Sequence, residues 1–179
     1  MTIGTDLEGG VTTAEALAVY DDLPAVTVEK MLGSWRGSGV PTGHPMDGLL
    51  ETYGWHGKRF DSPEDGHPLV FRGPRGLYSA NPALVPMGLV SRFGPRLRPP
   101  AVAAAGRRAV ALTRTRAPRS RLRMVEHRGV VTATMAYDAL PICDHFRRLD
   151  ESSLLGVMDL RGMAQPFFFL LRRDPGRGL

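Results

Sequence analysis

The chain has 179 residues, with 23 Lys+Arg against 18 Asp+Glu, a formal net charge of +5 and 42% apolar residues. That size leads us to expect one domain with a core of its own, and the apolar share excludes a chain disordered throughout. No apolar run reaches the ~18 residues of a membrane span; the acidic start MTIGTDLEGG does not read as a secretory signal, and the lone Cys143 excludes an internal disulfide, a paired-cysteine zinc knuckle and a CxxC site, so a cytoplasmic protein without membrane contact is expected.

Residues 12–32 read as helical. Thr12 or Thr13 can cap the start, Pro24 ends a first segment, and Val28, Met31 and Leu32 mark a second short turn that Gly33 stops. From residue 34 the texture changes to short runs punctuated by Gly and Pro, a β pattern, with candidate strands at 34–39, 51–60, 67–72, 76–79, 107–113, 120–127, 130–138, 143–149, 154–161 and 166–173. Residues 83–92 fit one more short helix, and 94–106 (GPRLRPPAVAAAG) read as a mobile linker. The chain thus divides into a helical lead-in (1–32), a first set of strands (33–93), the linker (94–106) and a second set (107–175), all in one structural domain.

Two hairpins can be registered by hand. A two-residue turn at Arg128-Gly129 pairs positions whose numbers sum to 257, with Leu122, Met124, Glu126, Val131, Ala133, Met135 and Tyr137 on the inward face. A four-residue turn at 150–153 pairs positions summing to 303, which sets Asp144 opposite Asp159 and Phe146 opposite Val157. A mainly β fold follows: an antiparallel sheet of roughly eight to ten strands, curling into a barrel preceded by a helical segment and able to hold one small ligand.

Among the groups that could carry chemistry, opposed carboxylates at Asp144 and Asp159 would need a shared proton, a cation or a metal, and Lys58 or Arg148 could serve as the cation. His44, three residues before Asp47 in TGHPMDG, could exchange protons if its loop folds over the barrel mouth; the plainer role is to satisfy loop backbone groups. If the protein is an enzyme, the catalytic candidates are therefore Asp144, Asp159, His44 and Lys58. The candidate ligand-lining residues are Trp35, Tyr53, Trp55, Met124, Met135, Tyr137, Phe146 and Phe167. Without HExxH, CxxC or HxH spacing, a dinucleotide loop or a P-loop, no metal and no cofactor is expected. Phe167-Phe168-Phe169 places one aromatic on the opposite face from its neighbours; burial of all three implies a covered sheet or a homodimer contact.

The cations are distributed unevenly. All but Lys30 and Lys58 are Arg, and residues 92–128 hold eleven Arg against the single acid Glu126. With Phe93 as the only aromatic there, stacking platforms for single strands are missing, so a solvated basic face is favoured over nucleic-acid binding.

Gly33-Ser34-Trp35-Arg36-Gly37 is a GXWXG signature. Together with Thr42–Glu51 and Gly54–Phe60 it resembles the bacterial GXWXG family, while Tyr137–Ile142, Phe146-Arg147, Met158–Gly162 and Pro166–Phe169 resemble the domain of unknown function that accompanies that family; the two span residues 30–173. This resemblance implies no activity. A looser similarity to lipocalins, fatty-acid-binding proteins and nitrobindin-like haem barrels implies that Trp35 packs across the closed end of a lipocalin-like barrel. A haem relative would need an axial His on a late strand, and none follows His145. The expected partner is a small apolar or amphipathic molecule; the alternatives are an enzyme on the same barrel (an isomerase, cyclase or hydrolase using carboxylate or His acid–base chemistry) and an Arg-rich nucleic-acid module.

Overall fold

A computed structural model describes residues 3–175. Helices α1 (Ile3–Glu8), α2 (Thr13–Asp22) and α3 (Val28–Met31) lead into strand β1 (Gly33–Gly39). Thr12 caps α2 through a full capping box with Glu15, as its side chain accepts from the Glu15 N–H and Glu15 reaches back to the Thr12 N–H. Then come α4 (Leu49–Tyr53), β2 (Trp55–Phe60), β3 (Gly66–Gly73), β4 (Gly76–Ala80), α5 (Met87–Phe93), α6 (Pro100–Leu112) and β5 (Arg114–Thr115). Five long strands complete the chain: β6 (Ser120–His127), β7 (Val130–Tyr137), β8 (Ile142–Arg148), β9 (Ser153–Leu160) and β10 (Phe167–Arg173).

Eight of the strands close into an antiparallel ring in the order β1, β2, β3, β6, β7, β8, β9, β10 and back to β1, as a lipocalin-like barrel requires. Strands β4 and β5 form a tongue beyond the ring, paired to the far end of β3. The ring closes between β3 and β6 through one pair, Gly66 with Ser120.

The barrel has a filled end and an open one. At the filled end the Trp35 indole N–H donates to the Met31 carbonyl at 2.7 Å, and the Arg173 guanidinium stacks 4.0 Å from the Trp35 ring while donating to the carbonyls of Leu32 and Lys30. Phe60, Phe146 and Phe169 meet edge to face behind it, with centroids 6.1–6.4 Å apart. The outer face of β9 and β10 is also covered: Leu155, Val157, Phe168 and Leu170 bury against Leu7, Ala16, Tyr20 and Val40. Phe168 is therefore shielded by the chain's own N-terminal segment, which explains the three consecutive buried aromatics without a second subunit.

The structure corrects the sequence reading in four places. The β6–β7 register is as expected, with pairs summing to 257, but β8 and β9 pair Cys143 with Asp159 and Asp144 with Met158, so their sum is 302. The turn holds three residues, Asp150 to Ser152: the Leu149 N–H donates to the Ser153 carbonyl at 2.9 Å, and within the turn Asp150 Oδ1 accepts from both the N–H and the hydroxyl of Ser152. That one-residue slip turns Asp159 outward into water while Asp144 stays inside. Second, residues 94–106 and 107–113 are neither linker nor strand: Pro100 takes the first position of α6, where its missing N–H costs nothing, and the alanines behind it favour helix. Third, the expected strand from residue 51 begins only at Trp55, since Gly48 and Gly54, both left-handed, bracket a turn of helix. Fourth, Met124 is 45% exposed, because the β6–β7 hairpin runs past the end of the barrel with Val125 and Val131.

Candidate functional site

The inward side chains of β2 depend on Gly57. Its φ of +149° and a register irregularity on either side of it form a bulge. A side chain there is impossible, as a Cβ would stand 1.9 Å from the Trp35 carbonyl oxygen. The extra residue lets Trp55 and Lys58, three apart in sequence, both face the interior, where the ammonium lies 5.6 Å from the Trp55 ring. From β8 Asp144 reaches across, and Lys58 Nζ donates to its Oδ2 at 2.7 Å. Both are buried, with 3% and 1% of their side chains exposed.

A second Lys58 N–H reaches the Pro68 carbonyl at 3.4 Å, and the rings of Phe169 and Tyr137 lie 5.0 and 5.7 Å from Nζ. Asp144 Oδ1 is buried without a hydrogen-bond partner among the described residues, as is Trp55 Nε1. Burial pushes the Asp144 carboxyl above its ordinary value, and the attraction of Lys58 offsets only part of this. Burial, reinforced by the Asp144 charge, drives the Tyr137 phenol well above its ordinary value too.

Around this pair lies an inner cavity of about 50 Å³, walled by Trp55, Lys58, Tyr137, Asp144, Met158, Phe167 and Phe169. Above it a larger cavity of about 290 Å³ sits under α4, α5 and α6, lined by Tyr53, Phe71, Val90, Leu97, Val110 and other apolar side chains. Met46, Leu50, Leu69 and Met87 line both, so four apolar side chains, two of them pliable methionines, partition the chambers. The whole is an apolar recess deepening to a single ion pair.

Of the candidate residues, the structure brings Lys58, Asp144, Trp55, Tyr137 and Phe167 to the inner chamber and Tyr53 to the outer one. Trp35 seals the opposite end, Met135 and Phe146 belong to the filled core, and Asp159 and Met124 face outward. Arg148 is exposed and pairs with Glu151 at 3.7 Å. His44 is buried with its ring against Phe167, 5.3 Å between centroids, and its Nδ1 accepts from the Met46 N–H at 3.0 Å. Asp47 Oδ2 accepts from the His44 and Thr42 N–H groups, so the pair staples its own loop.

Sequence reasoning missed the outer chamber's walls: it expects a short helix at 83–92 but gives it no part in the site, and it takes 94–106 as a linker and 107–113 as a strand where α6 forms. The apolar positions Val90, Leu97 and Val110 were the available signal. Among the described residues no group of three or more His, Cys, Asp or Glu could hold a metal, and no helix is long and apolar enough to cross a membrane. The Arg-rich stretch is partly spent on internal pairs: Arg121 with Asp138, Arg123 with Glu64 and Arg128 with Asp21.

Comparisons with known proteins agree with this architecture. A crystal structure of a protein from Thermomonospora curvata superposes with a TM-score of 0.68 over 92% of this chain and 89% of that one, at 31% identity. Among curated proteins no match is found. Residues 18–76 match the profile described as GXWXG protein, and residues 118–173 match a domain of unknown function (DUF4334). The chain belongs to the GXWXG family, with the DUF4334 domain forming the second part of its barrel.

Proposed function

We propose that the protein binds one small, mainly apolar molecule, its body in the outer chamber and its polar end at Lys58 and Asp144. The observation that carries this reading is the sequence of environments along the recess: about 290 Å³ with almost wholly apolar walls, then a narrow end where a buried ion pair waits. Concave apolar sites with a few placed polar groups are how proteins hold small molecules. A barrel needing only stability would fill this end with side chains as it fills the other, since replacing a buried ion pair by apolar groups of similar volume is often neutral or stabilising.

The test is uptake of the neutral dye N-phenyl-1-naphthylamine. Stoichiometric fluorescence enhancement in the native protein, lost when Leu50→Trp fills the space that this side chain lines in both chambers, is the expected result. No uptake, or uptake that Leu50→Trp leaves unchanged, overturns the reading.

A second reading, an enzyme on the same barrel, draws on Asp144. A carboxylate with one free oxygen and a raised pKa is suited to take a proton from a bound molecule, with Lys58 steadying the negative charge that results. Conversion of a bound compound with a bell-shaped pH dependence, abolished in Asp144→Asn while binding persists, would favour it over a carrier.

A further inference from the structure

Resting on the reading of the recess as a binding site, we infer that its ligand is a neutral molecule ending in a hydroxyl group, an apolar alcohol or phenol, rather than a carboxylic acid or an amine. Two side chains that wall the inner chamber each carry a polar atom with nothing to bond among the described residues: Asp144 Oδ1, an acceptor, and Trp55 Nε1, a donor. Both are buried, and each such atom left unmatched destabilises the fold. A hydroxyl both gives and receives a hydrogen bond, so it is the smallest group that answers either atom.

The charges narrow the choice further. Lys58 and Asp144 already neutralise each other at 2.7 Å. A ligand carboxylate would bring a second negative charge against Asp144, and a ligand ammonium a second positive one against Lys58, both among aromatic and aliphatic walls that cannot screen them. With about 50 Å³ available, the inner chamber takes a hydroxyl-bearing tip and leaves the apolar remainder to the larger space above.

The experiment is calorimetric titration of the full chain with 2-naphthol, 2-methoxynaphthalene and 2-naphthoate, which share a ring system and differ at the tip. The ether keeps the oxygen but has no proton to donate. We expect 2-naphthol to bind about tenfold more tightly than the ether, the worth of one hydrogen bond to a charged acceptor, and 2-naphthoate to bind more weakly than 2-naphthol. A double variant, Lys58→Met with Asp144→Leu, avoids a lone buried charge. It should still bind the ether and should lose the preference for naphthol.

Ether and naphthol binding equally, naphthoate binding most tightly, or a naphthol preference that survives in the double variant each overturns the hydroxyl assignment while leaving the recess a binding site. Absence of binding by all three, together with no dye uptake, overturns the binding site itself.

Discussion

Trp55 lies flat against Gly37: a Cβ built on the glycine would stand 2.1 Å from Cζ3 of the indole. The second glycine of the GXWXG signature is thus a socket for a tryptophan on the neighbouring strand, and that tryptophan is a wall of the inner chamber. Gly37→Ala should push the indole off β1 and destabilise the protein by about 1–3 kcal/mol, the usual cost of overpacking a core. Chemical denaturation would read the loss, and a change in tryptophan emission would show that Trp55 has moved.

The signature's tryptophan works at the other end. Trp35→Leu removes the hydrogen bond to Met31 and the stacking surface for Arg173. A loss of about 3–5 kcal/mol, in the range for deleting a buried aromatic, is expected in a denaturation curve, whereas dye affinity in the folded fraction should stay near the native value. A selective loss of affinity would place Trp35 in the ligand site.

The buried pair should respond asymmetrically to substitution. Lys58→Met leaves the Asp144 carboxylate among apolar groups without its cation and should cost about 3–5 kcal/mol. Adding Asp144→Leu should restore most of that loss. A double-mutant cycle from urea midpoints measures the coupling, and two additive losses would show that the pair does not act as a unit.

Acid should weaken the fold through its histidines. Burial holds His44, His67, His127 and His145 below their ordinary value, with His145 at about 4; His127, stacked on it with ring centroids 3.8 Å apart, lowers it further. Between 6.5 and about 4 the unfolded chain binds a proton that folded His145 refuses, so stability falls as pH falls through that window. Asp144 works oppositely: its raised value makes ionisation costly, and stability is lost as pH rises through and above the ordinary carboxylate value of 3.8. Four groups against one predict a net loss on acidification. His145→Gln should remove on the order of 1–2 kcal/mol of that slope, allowing for solvent at the ring edge. Midpoints of thermal unfolding across the window check this, and a slope unchanged in the variant would contradict it.

The sequence revealed local features better than the ways in which strands and helices are offset. The β6–β7 register was legible because Arg128 and Gly129 both take positive φ, the turn that a two-residue hairpin demands. Its neighbour was misread because Asp150 recruits Ser152 and tightens the turn to three residues, a contact between side chain and backbone that alternation cannot disclose. Lys58 stood out as one of two lysines in an arginine-rich chain, and Asp144 as a carboxylate within an apolar strand. Their meeting depends on the bulge at Gly57, whose need for glycine comes from the Trp35 carbonyl on another strand. Helix α6 was hidden by weighting Pro99 and Pro100 over the alanines that follow.

The single rung between Gly66 and Ser120 has a mechanical consequence. Every other junction of the ring is a ladder of several pairs, so strain on the barrel concentrates at this latch. A Cβ at Gly66 would stand 2.4 Å from the Ser120 hydroxyl oxygen, so nothing larger than hydrogen lets the two strands meet. Beside that rung the Leu122 N–H donates to the Pro63 carbonyl and Arg123 pairs with Glu64, so a few contacts hold this seam where the other junctions have a ladder. Amide deuterium uptake should begin there, with the lengthwise seam parting before the staves on either side of it.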